Sequence, residues 1–170
     1  EVTPGYPGTL NVCAAGNRGV NADYAPMYPG AYDNRGIVSV LATDSNDVGA
    51  SFTNFGLASV DIAAPGVSIY STSPTGTCSL CDASGYKYLS GTSMASPHVA
   101  GVATAVLSRN PSLTAAQARD ALLDPRSYDA VTDAKARSTS SGGRLNFYKA
   151  LTNTTFLSNP VLNQFPTLTL

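Results

Sequence analysis

Charge is scarce in this chain. Asp, Glu, Lys and Arg together make 12% of its 170 residues, against 43% apolar residues. That balance excludes a solvated, disordered chain and fits one compact domain with a real core. The formal net charge is −1 and no basic cluster occurs, so nucleic acid is not an expected partner. No apolar run approaches the ~18 residues that a membrane-crossing helix needs. No charged segment leading into an apolar stretch opens the chain, so no signal peptide is expected within it. No repeat occurs, and no linker divides the chain.

Histidine and cysteine are scarce too. The one histidine is His98, and the cysteines are Cys13, Cys78 and Cys81. Cys78 and Cys81 form a C-x-x-C in a loop rich in Gly, Ser and Thr. A redox pair of that spacing wants a helix N-terminus just after a strand, which this loop does not show. A zinc site wants two more ligands, and only Cys13 and His98 are on offer. A local disulfide or two free thiols remain. Cys13 falls in an apolar strand and reads as a small buried hydrophobe.

What is present alternates short apolar strands with loops and then helices. Residues 1–9 read as irregular. Leu10 to Ala15 (LNVCAA) is a strand ended by the turn Gly16-Asn17-Arg18-Gly19. Residues 21–35 form a long loop rich in Tyr, Pro, Gly and Asn. Ile37 to Ala42 and Val60 to Ala64 are further strands, with irregular chain at 52–57 between them. Ser68 to Ser71 and Tyr86 to Leu89 read as strands flanking a loop at 73–85. A helix from about Ser93 to Ser108 is apolar nearly all round and is expected to be buried. Thr114 and Gln117 form a capping box for a second helix, Ala115 to Leu123, which Asp124-Pro125 stops. Residues 126–143 are polar and loop-like, Leu145 to Leu151 is a short helix, and 152–170 is an irregular extension. Asn153-Thr154-Thr155 fits an N-glycosylation acceptor. The fold class is α/β, a mostly parallel sheet flanked by helices.

The stretch Leu89 to Gly101 (LSGTSMASPHVAG) carries the chemistry. Gly91 and Thr92 make a turn, and Ser93 falls at the helix start. Its Oγ is held at a sharp corner, in the positive field of free N–H groups, which suits a nucleophile attacking a carbonyl. A lone serine there is more often only an N-cap. Upstream, Ala14-Ala15-Gly16-Asn17 ends a strand with an amide able to donate to an oxyanion, or to serve as an ordinary turn residue. The ordered segments GTSMASPHVAG and AAGN resemble the subtilisin-like serine proteases (subtilases). So do Ala64-Pro65-Gly66-Val67-Ser68-Ile69, Tyr28-Pro29-Gly30 and the later GGRLNFYKAL. The resemblance covers roughly Leu10 to Leu151.

That resemblance implies the C-terminal part of a subtilase catalytic domain over residues 1–151, followed by the extension at 152–170, with the N-terminal part of the fold absent. It implies a serine endopeptidase forming an acyl-enzyme on Ser93. Asn17 and the Ser93 N–H would be the oxyanion donors. Ala14, Ala15, Gly16, Gly30 and Thr92 would bind substrate, and His98 would be structural, packed beneath the site. His98 cannot serve as the base: five residues beyond Ser93 on one helix, it lies about 140° around the axis. The family's aspartate and histidine precede the serine. Asp23, Asp33, Asp44, Asp47 and Asp61 match neither position. Both groups are therefore expected on an upstream segment or a partner chain, together with strands covering Leu10 to Ala15. Alone, the chain should expose apolar surface and a sheet edge. The implied substrate is protein or peptide, and the implied location is extracellular. No cofactor is implied beyond structural calcium, for which the Tyr28 to Asp33 loop resembles a weak cation region. Two rival readings stay open. A transpeptidase or cyclase on the same scaffold would let amines outcompete water at the acyl-enzyme. A non-catalytic, truncated subtilase would bind peptide or pack against a partner, as the missing triad members favour.

Overall fold

The structure is a computed structural model that describes residues 8–157. At its centre lies β2 (Ile37–Thr43), which is buried on both faces. Successive strand residues point to opposite faces, and β2 is apolar on each, so it can only sit in the middle of a sheet. β1 (Asn11–Ala14) and β3 (Ile62–Pro65) pair with it in parallel, one on each side. β7 (Gly143–Leu145) pairs in parallel with β3, and β6 (Tyr128–Ala130) runs antiparallel to β7. The sheet order is β1-β2-β3-β7-β6, so β1 is an edge strand. A separate antiparallel ribbon joins β4 (Ile69–Thr72) to β5 (Tyr86–Leu89). The mostly parallel sheet flanked by helices is thus the architecture that the residue pattern implies.

Helix α1 (Thr92–Arg109) lies across one face of the sheet. Its Ala95, Val99, Val102 and Val106 pack against Val38, Val40, Ala42, Ile62 and Ala64. The helix is buried on this one face, not all round: Ser93, Pro97, His98, Gly101 and Thr104 are exposed. Small residues blur the polar stripe that would mark a solvent face, which is why the sequence reads as fully buried. The other side of the sheet is a smaller apolar layer containing Leu41, Val60, Ala63, Val131 and Ala136. Helix α2 (Ala115–Leu123) starts at the Thr114–Gln117 capping box, with both reciprocal bonds made. Arg119 ties α2 to the sheet: Nε donates to the Ile37 carbonyl at 2.8 Å, and the guanidinium pairs with the buried Asp61. Asp61 also accepts the Ser39 N–H at 2.8 Å, so this buried carboxylate is satisfied at both oxygens.

Four local expectations need correction. Residues 126–143 hold β6 and the start of β7, and Leu145 ends that strand instead of opening a helix. These short strands exist through pairings with distant chain, which local composition does not encode. Helix α3 covers Phe147–Thr152, and α4 (Thr154–Leu157) follows, with Phe156 packed on the main core. The first residues of the expected irregular extension thus hold a short helix; residues 158–170 lie outside the described residues. Asn153 is buried and its Nδ2 donates to Ser127 Oγ at 3.0 Å, so the folded chain does not present it as a glycosylation acceptor.

Candidate active site

The corner that carries Ser93 is set by close backbone packing. The Gly91 N–H donates to the Gly66 carbonyl at 2.8 Å. A Cβ on Gly66 would lie 2.8 Å from the Gly91 carbonyl oxygen and 2.6 Å from Ala42 Cβ, so only glycine fits in this Ala-Pro-Gly segment. The turn then enters α1 at Thr92, and Ser93 follows with its side chain exposed. The Ser93 N–H belongs to the first helical turn, where no intrahelical acceptor exists, and it stays available to an incoming anion.

Asn17 reaches this corner from the end of β1. Its Oδ1 accepts two bonds from Thr92, from the backbone N–H and from the hydroxyl, each at 2.9 Å. Thr92 Oγ1 in turn accepts the Gly16 N–H at 3.1 Å. The amide orientation follows from chemistry: a flipped Asn17 would set its own N–H groups against the Thr92 N–H. Oδ1 is therefore the anchored end, and Nδ2 is the donor left beside the Gly91–Ser93 turn. Thr92 is fully buried. Expected among the substrate-binding residues, it borders the groove that Ala14 and Gly16 line, while its side chain holds the Asn17 amide.

Ser93 lies between two open grooves. One, of about 540 Å³, is lined by Cys13, Ala14, Gly16, Asn17, Arg18 and Met27, with Tyr28 and Pro29 at its wall. The other, of about 390 Å³, lies towards the ribbon and includes Ile69, Leu89, Met94, Pro97 and His98. Of the remaining residues expected to bind substrate, Ala14 and Gly16 line the first groove, while Ala15 and Gly30 are buried. Both backbone groups of Ala15 are engaged, the N–H with the Val40 carbonyl and the C=O with Asn54 Nδ2. Gly30 sits under the wall, where a Cβ would lie 3.1 Å from Ser39 Oγ and 3.3 Å from Cys13 Cβ. Burial pushes the Cys13 thiol pKa up. Cys78 and Cys81 are joined by a disulfide in the ribbon loop.

His98 is exposed on α1, not packed beneath the site, because nothing among the described residues covers that helix face. Its Nδ1 lies 2.8 Å from the Met94 carbonyl, which accepts only, so Nδ1 carries the proton. Among the described residues no hydrogen bond joins Ser93 Oγ to His98, and neither groove is lined by a carboxylate or a second imidazole. Among the described residues no group of three or more His, Cys, Asp or Glu side chains comes together to hold a metal, and Asp33 is the single carboxylate of the 28–33 loop. Sequence reading also passed over Asn54. It lies in a stretch read as irregular, yet it is fully buried against the turn that carries Asn17. No spacing or motif marks it.

A sequence model of the Subtilase family matches residues 5–146. This chain is a subtilase. As a subtilase it is 46% identical over 116 residues to subtilisin DY of Bacillus licheniformis, an alignment covering 68% of this chain and 38% of that one. It is 43% identical over 147 residues to thermitase of Thermoactinomyces vulgaris, covering 85% and 44%. Among solved structures, a cold-adapted subtilisin-like serine proteinase superposes with a TM-score of 0.59 at 39% identity, covering 74% of this chain and 41% of that one. The prenylagaramide maturation protease PagA superposes with a TM-score of 0.64 at 26% identity, covering 88% and 51%. This subtilase spans about two fifths of the length of those curated relatives. Serine-protease ancestry is therefore established for the chain, and no helix among the described residues is long and apolar enough to cross a membrane.

Proposed function

We propose that this subtilase chain supplies the nucleophile and oxyanion hole of a serine endopeptidase, with Ser93 Oγ attacking the peptide carbonyl. Asn17 Nδ2 and the Ser93 N–H stabilise the tetrahedral oxyanion. The observation that carries this reading is the anchoring of the Asn17 amide through Oδ1 on Thr92, which commits Nδ2 to an acceptor beside the serine turn. The grooves on either side of Ser93 suit an extended peptide crossing the site. The first groove is lined by Cys13, Ala14 and Met27, with Arg18 as its one formal charge.

The base and its orienting carboxylate come from a segment or partner chain outside this sequence. That segment also covers the exposed face of α1 and the edge of β1. Without them Ser93 is an ordinary alcohol, and the chain alone has little activity. The Cys78–Cys81 disulfide supports an extracellular setting, where such bonds persist. The test is labelling with a fluorophosphonate probe read by intact mass, on this chain alone and on native material. Labelling at Ser93 in native material only is the expected result. Labelling of the isolated chain would show that another group activates Ser93, and labelling in neither would favour a non-catalytic role. Adding a competing amine to the active material separates hydrolysis from peptide transfer, and hydrolysed product is expected to dominate.

A further inference from the structure

Asn54 is fully buried and hydrogen-bonded at both ends of its amide. Oδ1 accepts the Arg18 N–H at 3.0 Å and the Val20 N–H at 3.3 Å. Nδ2 donates to the Ala15 carbonyl at 2.8 Å, and the Asn54 backbone N–H donates to the Gly16 carbonyl at 2.9 Å. These bonds land on both sides of Asn17, on Ala15 and Gly16 before it and on Arg18 and Val20 after it. The amide orientation is forced, because Oδ1 faces donors and Nδ2 faces an acceptor. Gly16 is part of the same fit. It has φ +104°, and a Cβ there would lie 2.5 Å from Asn54 Nδ2. Asn54 is fixed in turn from the next residue: Thr53 Oγ1 accepts the Ala42 N–H at 3.0 Å and donates to the Asn54 carbonyl at 3.2 Å.

We propose that Asn54 is a positioning residue for the oxyanion donor. It fixes the backbone that carries Asn17, while Thr92 fixes the Asn17 side-chain oxygen. This rests on the serine-protease reading above. An oxyanion donor is useful only if it is already in place when charge develops, since reorganising it then costs rate. The turn after β1 runs through a positive-φ glycine and is tied by backbone bonds at Gly16, Gly19 and Val20 to the 52–55 segment. From that same segment the Asn54 side chain adds bonds to the Ala15 carbonyl and to the Arg18 and Val20 N–H groups, which close the turn around Asn17.

The test uses the active material identified by labelling. Asn54→Asp keeps the size of the side chain and the acceptor for Arg18 and Val20, but turns an oxygen against the Ala15 carbonyl. The expected result is a fall in kcat of about tenfold to a hundredfold with KM little changed. In an Asn17→Ala background the same substitution should change kcat by less than about twofold, because the donor it positions is gone. A merely structural role would lower kcat equally in both backgrounds; that outcome, or unchanged kcat in a folded N54D enzyme, overturns the proposal. If N54D does not fold, Asn54→Ser enters the same cycle under the same two outcomes. Absence of Ser93 labelling in the parent would overturn the protease reading and this role with it. Labelling with an additive cycle would overturn the role of Asn54 alone.

Discussion

The Asn17 amide takes its orientation from Thr92. The hydroxyl accepts from Gly16 and donates to Asn17, so one buried side chain joins the two segments that make the site. Thr92→Val keeps the shape and removes both bonds. A single neutral hydrogen bond is worth ~1 kcal/mol, so kcat should fall about fivefold with KM little changed, by steady-state kinetics on the active protein. A second residue-scale prediction concerns acid. Asp124 accepts the Arg126 N–H at 2.9 Å and the guanidinium at 2.7 and 2.8 Å. The Arg126 side chain, against a smaller opposing effect of burial, holds its carboxyl down from 3.8 to about 2. A depressed folded-state pKa adds stability above the unfolded value, and that contribution is lost as pH falls through about 2. Arg126 is 60% exposed in its side chain, so solvent screens the pair and the effect is modest. Urea titrations at about pH 5 and pH 2.5 should show Asp124→Asn losing less stability than the parent.

Among the elements, α2 was fully legible. Its capping box, its apolar positions and its Asp-Pro stop are all local, and the observed bounds Ala115–Leu123 match. Thr114→Ala should cost ~1 kcal/mol in equilibrium unfolding, since it strips the acceptor from the Gln117 N–H. Helix α1 was legible in position but not in exposure, because alanine, glycine and serine suit either environment. β6 and β7 were not legible. Tyr128–Ala130 and Gly143–Leu145 become strands through pairing with each other and with β3. Three residues carry too little pattern to announce that in advance.

On the scale of the molecule, the described residues leave the outer edge of β1 and the face of α1 at Pro97, His98 and Gly101 open. An open strand edge beside apolar groups invites association. The chain by itself is therefore expected to self-associate and to bind a hydrophobic dye. Adding the segment that supplies the base should suppress both, by sedimentation velocity and dye fluorescence. A monomeric chain that binds no dye would show that these surfaces need no cover.

The family and the α/β class were readable from residue order, as were the serine and asparagine segments that the fold brings side by side. Each is a short, contiguous pattern in which a special backbone shape demands special residues, as at Gly91-Thr92-Ser93 and Ala15-Gly16-Asn17. Tertiary structure alone decided how those patterns are held. Asn54 and Thr92 act on partners 34 to 76 residues away in sequence, and a buried asparagine in a loop looks like any other until its four neighbours are known. His98, Ala15 and Gly30 likewise received their exposure from what packs over them, not from their own chemistry. Local chemistry announces what a residue can do. Only the fold decides which partners it meets, because burial and hydrogen bonding are relations between distant parts of the chain.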